Sequence, residues 1–167
     1  VELSVHKWGT CSGSVSSSPA GIDSCEGTCT HSFQYGDVVT LTATPAPGST
    51  FTGLTNAPAW CTGTAPCAVT MTTAQSVTAN YAIQSYNLTV SRAGTGTGTV
   101  SSNPSGINCG STCTRSTPYG QTVTLTATPV SGSTFTGWSG GGCSGTGTCV
   151  VTVHEATHVT ATFTRIT

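Results

Sequence analysis

Charge is what this sequence has least of. Four Lys/Arg and five Asp/Glu make up 5% of its 167 residues, against about 25% in an ordinary soluble domain. With a formal net charge of −1, the chain lacks the clustered cations that displace counterions from nucleic acid or hold a protein to an anionic membrane surface. Both partners are excluded. Long apolar runs are missing too: no stretch approaches the roughly 18 residues a membrane helix requires, so no membrane insertion is expected. No amphipathic helical period is visible either. A signal-peptide pattern is absent, and the chain opens on Val1, as expected of a processed product or an excised fragment. Apolar content itself, at 35%, is too high for a disordered chain of low charge.

What fills the chain is Thr and Ser, with 21 Gly, 8 Pro and 9 Cys. Thr favours strands, and Gly and Pro mark turns. So many cysteines point to an oxidising compartment and hence to secretion. Their spacing is local. Cys25 and Cys29, like Cys109 and Cys113, have three residues between them; Cys61 and Cys67, like Cys143 and Cys149, have five. Zinc sites usually use pairs with two to four residues between ligands, in sets that converge on one ion; four local disulfides explain both spacings more simply: Cys25–Cys29, Cys61–Cys67, Cys109–Cys113 and Cys143–Cys149. Bridges over such short loops should contribute about 2 kcal/mol each by the chain-entropy estimate. Cys11 is left over, either a buried thiol or a bridge to another chain.

The chain repeats itself. YGDVVTLTATPAPGSTFTG from Tyr35 returns as YGQTVTLTATPVSGSTFTG from Tyr119, CTGTAPCAVTM from Cys61 as CSGTGTCVVTV from Cys143, and SVTANYA from Ser76 as HVTATFT from His158. Two modules are expected, residues 1–83 and 84–167. Within each, the pattern has period two: Val123, Leu125 and Ala127 alternate with Thr122, Thr124, Thr126 and Thr128. That is the signature of strands with one packed and one hydroxylated face. The expected fold class is all-β: two tandem, small, disulfide-stapled antiparallel modules of about six strands each, sandwich-like or β-grasp-like without a clear helix. The short junction lacks the composition of a flexible linker.

The ordered run of SxPxGI, C-x3-C, VTLTATP, GSTFTGW, C-x5-C and VT-x-TF resembles the divergent InlB B-repeat modules of bacterial surface and secreted proteins, and the resemblance covers both halves. That resemblance implies an extracellular, non-catalytic β module of the kind found in adhesins, secreted hydrolases and surface polymers. It does not imply one ligand. The first module departs from the pattern, with Leu54 where the second has Trp138 and with Ala59-Trp60 inserted before Cys61.

Motifs that could carry chemistry fail on context. His154-Glu155-Ala156-Thr157-His158 spells the zinc-protease signature, which needs a helix to set both imidazoles one turn apart. Here it falls between two strand patterns, and its counterpart, residues 72–76, holds no ligand. The run from Cys25 to His31 has the wrong spacing for haem attachment. No nucleophile elbow or phosphate loop with a following helix is present. No enzyme activity, cofactor or metal is expected. Trp8, Trp60 and Trp138 are the large aromatics able to stack on sugars; Trp60 and Trp138, beside the Cys loops, are the tentative surface-binding pair. Core packing is the commoner role for such a residue as Trp138.

The expectation is therefore a secreted, cell-surface structural or adhesive protein. Its partners would be itself, as a homopolymer, or neighbouring surface proteins. Low charge weakens the repulsion that keeps strand edges apart, and the last strand, near residues 160–166, is expected to meet the opening strand of a neighbouring copy. The alternative is a carbohydrate-binding accessory module of a secreted hydrolase, with polysaccharide as partner.

Overall fold

Alternating apolar and hydroxyl side chains form fifteen strands and no helix among the residues described by the computed structural model, 1–9 and 12–167. The chain divides into two compact units, Val1–Gln84 and Ser85–Thr167. The first contains β1 (Glu2–Gly9), β2 (Gly13–Ser18), β3 (Thr28–Ser32), β4 (Val38–Pro45), β5 (Ser49–Thr55), β6 (Cys67–Thr70) and β7 (Gln75–Ile83). These make one sheet in the order β3-β1-β7-β5 and a second in the order β2-β4-β6. The second unit contains β8 (Ser85–Ala93), β9 (Gly98–Asn103), β10 (Asn108–Cys109), β11 (Thr114–Pro118), β12 (Thr122–Pro129), β13 (Ser133–Ser139), β14 (Cys149–Thr152) and β15 (Thr157–Arg165). Its sheets run β11-β8-β15-β13 and β10-β9-β12-β14.

In each unit both sheets turn their apolar phase onto one core, a two-layer sandwich. Leu3 and Val5 of β1, Val39 and Leu41 of β4, Val69 of β6 and Val77, Ala79 and Tyr81 of β7 are buried together. Leu88 and Val90, Val123 and Leu125, Val151, and Val159, Ala161 and Phe163 repeat that set in the second unit. Two glycines let the layers close. A Cβ at Gly13 would fall on the Tyr81 ring, and one at Gly98 on the Phe163 ring. Four disulfides, Cys25–Cys29, Cys61–Cys67, Cys109–Cys113 and Cys143–Cys149, tie short loops to this core, with Cα–Cα distances from 4.4 to 5.9 Å.

The sheets depart from a purely antiparallel pattern in one respect. The first and last strands of each unit lie side by side and parallel, β1 on β7 and β8 on β15. A parallel pair needs a long crossover, and here the whole intervening module is that crossover. The strand count also exceeds the six read from the sequence, because β3 and β11 leave the first Cys loop as short paired strands.

Parallel closure corrects the expected mode of association. β15 is flanked by β8 and β13, and β1 by β3 and β7. Neither the last strand nor the opening strand is an edge, so they cannot pair between copies. Of the strands that do lie at edges, β2 spans six residues and is covered by backbone bonds between Val15 and Cys25 and from Ser17 to Ile22, and most of the others are short or broken. β3 and β11 span five residues, and β6 and β14 four. β5 and β13 each carry a bulge, at Phe51/Gly53 and Phe135/Gly137, with φ of +132° at Gly53 and +150° at Gly137. Bulges of this kind twist an edge away from pairing.

Candidate functional site

The reactive-looking side chains are committed to structure. His154 lies in the bend before β15 and packs on Tyr119, ring centroids 4.9 Å apart. His158 lies on β15, where its Nε2 meets Ser91 Oγ at 2.6 Å. A turn and a strand hold the two imidazoles, so the helical geometry of the zinc signature is not reproduced. Among the described residues no group of three or more His, Cys, Asp or Glu could hold a metal ion. His31 stands edge-on to Phe33 at 4.7 Å, behind the bonded Cys25–Cys29 pair. Arg92 donates to the Gly98 carbonyl at 2.8 Å beside a shallow groove of about 370 Å³ in the second unit. Cys11 lies outside the described residues.

The tentative pair Trp60 and Trp138 separates. Trp138 is only 5% exposed and belongs to the core of the second unit. Its ring meets Phe135 edge-on at 5.0 Å, and its Nε1–H donates to the Gly147 carbonyl at 2.7 Å. A buried indole has no free face for a sugar, which removes Trp138 as a surface platform. Trp60 is 67% exposed. Its Nε1–H donates to the Ala68 carbonyl of β6 at 2.8 Å, just past Cys67. Trp138 instead bonds inside its Cys loop, at Gly147.

Trp8 is the aromatic that the strand pattern underweighted. It is 72% exposed and occupies the outward phase of β1 with Glu2, Ser4 and His6, because Leu3 and Val5 point inward. The same alternation, carried one step further along β1, is the signal that would have found it. Parallel pairing sets Trp8 directly beside Asn80 of β7, and Asn80 in turn beside Gly53 of β5. Asn80 Nδ2 donates to the Gly53 carbonyl at 3.1 Å and to Thr55 Oγ1 at 3.3 Å, which fixes the amide. The adjoining row holds His6 and Thr78, with His6 Nδ1 at 3.2 Å from Thr28 Oγ1. The result is a polar plane bearing one bare indole.

Burial pushes the Tyr81 phenol above its ordinary pKa of 10.0, because the phenolate would be poorly solvated there. Its hydroxyl donates to the Ser14 carbonyl at 2.7 Å. This is a structural tie across the two layers of the first unit, not a catalytic acid.

The fold has a solved likeness in the Bacillus anthracis TIE protein, at a TM-score of 0.59 and 8% identity over 98% of this chain. The chain spans 34% of that protein's length. A major pilin of Streptococcus pyogenes aligns over 99% of this chain and 96% of its own at 10% identity, but with a TM-score of 0.41. The shaft pilin SpaA of Lactobacillus rhamnosus GG aligns over 98% and 97% at 10% identity, with a TM-score of 0.36. Those two likenesses are too loose to argue from. No curated protein matches the chain by sequence. The profile of the divergent InlB B-repeat domain matches residues 9–85 and again residues 86–167. With two such matches covering nearly its whole length, the chain belongs to the divergent InlB B-repeat family.

Proposed function

We propose that this chain is a non-enzymatic, extracellular structural or adhesive segment of a bacterial surface protein, contributing its exposed faces and not a pocket. One observation carries this reading: the described cysteines and imidazoles are spent on disulfides, ring packing and hydrogen bonds, while the outward phases of the strands present hydroxyls with almost no charge. Disulfide dependence fits an oxidising exterior. Among the described residues no helix is long and apolar enough to cross a membrane.

Self-association into a filament is the finer part of the proposal. Because β1 and β15 are interior strands, copies would meet through faces or ends. Charge favours a head-to-tail sense: Glu2, Asp23, Glu26 and Asp37 outweigh Lys7 in the first unit, and Arg92, Arg115 and Arg165 outweigh Glu155 in the second. Opposite signs steer encounter and fix register more than they add affinity. Light scattering and negative-stain electron microscopy over rising concentration test it. Ordered, salt-sensitive oligomers are the expected result; a chain that stays monomeric at millimolar concentration would remove the filament from the proposal.

A further inference from the structure

We infer that the outer face of the β1–β7–β5 sheet in the first unit is a binding site for a neutral polysaccharide, with Trp8 as the stacking platform. The inference goes beyond the structural reading and does not depend on self-association.

Three features converge on one patch. Trp8 presents an indole that is 72% exposed on the outward phase of a strand whose backbone is held on both sides, by β7 and, through the Lys7 N–H bond to the Gly27 carbonyl at 2.9 Å, by the loop before β3. Asn80, its parallel neighbour, has its amide nitrogen committed to Gly53 and Thr55, which leaves Oδ1 as an oriented acceptor. Gly53 adds no side chain, and a Cβ there would meet only the Gly63 carbonyl oxygen, at 3.3 Å. The Gly63 backbone therefore borders the patch on the β5 side, and the indole and the amide form its open part. With strands about 4.8 Å apart and same-face residues about 7 Å apart, this patch is about 10 by 7 Å, the scale of one or two pyranose rings.

The chemistry selects the ligand class. An indole face attracts the C–H face of a sugar, and a fixed amide with hydroxyls around it matches sugar hydroxyls. Among the outward residues of β1, β5 and β7 the one carboxylate is Glu2, at the far end of β1 from Trp8, with no Lys or Arg; Lys7 and Glu26 border the Trp8 end with opposite signs, so neither an acidic nor a basic polymer is favoured there. A protein partner would need about 800 Å² per side with an apolar centre, and this patch offers one aromatic among hydroxyls.

The second unit supplies an internal control. The same backbone registers there put Ala93 beside Thr162 and Thr162 beside Gly137. The platform's two side chains are gone while its backbone remains, so the site belongs to the first unit alone.

The test uses the full chain in pull-down on cellulose, chitin and insoluble β-1,3-glucan, with Trp8→Ala and Trp60→Ala beside the native protein and light scattering on the same samples. Retention on at least one polymer is expected, unaffected by 0.5 M salt as an order-of-magnitude screen of charge effects. It should weaken at least about tenfold in Trp8→Ala, the loss typical of a binding hot spot, and persist in Trp60→Ala. Trp8 is exposed, so thermal unfolding of Trp8→Ala should match the native protein. Absence of retention on all three polymers would overturn the inference. So would retention that survives Trp8→Ala or is abolished by salt. The scattering data report self-association independently, so either proposal can fail while the other stands.

Discussion

The two units share a backbone plan but fill it differently, and the differences separate what folds the module from what it displays. In the second unit Trp138 plugs the core beside the Cys143–Cys149 loop. In the first unit Leu54 takes that place as a partly buried residue, and the inserted Trp60 stays exposed, bonded to Ala68 of β6. Position 33 reverses the comparison. Phe33 is buried in the first unit, whereas the equivalent Thr117 is fully buried with its hydroxyl 3.2 Å from Arg115 Nη1. Tyr81 and Phe163 make a third contrast, a ring with and without a hydrogen bond across the sandwich. A core specified by alternation and stapled by cystine tolerates such exchanges because each unit keeps a complete apolar interior.

If burial, not residue type, decides the role of each Trp, truncation should act very unequally. Trp138→Ala should cost about 3–5 kcal/mol, while Trp60→Ala should cost only about 1 kcal/mol, through its one hydrogen bond. Chemical denaturation of the full chain compares them. Equal losses would break the assignment of one Trp to the core and the other to the surface.

The staples should sharpen the likeness instead of the difference. Replacing Cys25 and Cys29 together by Ala, or Cys109 and Cys113 together, should each cost about 2 kcal/mol, since equal loops constrain the unfolded chain equally. Shifts in denaturation midpoint measure this. A loss confined to one unit would mean that the paired bridges are not equivalent.

The smallest effect concerns Tyr81. Tyr81→Phe should cost about 1 kcal/mol near neutral pH through its hydrogen bond. The phenol is held above its ordinary value of 10.0 by burial, so the neutral form is favoured in the folded protein. Its contribution is fully present below the unfolded pKa and is lost as pH rises through the raised folded one. Thermal scans from pH 8 to about 11 should show a shallower alkaline decline in Tyr81→Phe than in the native chain. Identical slopes would mean that the ring ionises equally well in both states.

Much of this was legible in the chain. Val123 and Leu125 between threonines foretell a strand with a wet and a dry face, because strand side chains alternate strictly. Loops as short as Cys25 to Cys29 can be paired on spacing, because few other partners lie within reach. The fate of Trp138 was harder, since a Trp beside a Cys loop packs inward or outward with equal local propensity. Trp8 was harder still. Its importance lies in Asn80 and Gly53, which come from the other end of the module.

Sequence by itself determined the duplication, the all-β class and the division of each strand into buried and hydroxylated phases, since these follow from nearest-neighbour geometry and a period of two. Tertiary structure alone decided that β1 lies parallel to β7 and β8 to β15, that the last strand is not an edge, and that an indole, an amide and a glycine share one plane. Those outcomes depend on which distant strands pair and in what register, and pairing is settled by burial of the whole core, not by any local pattern.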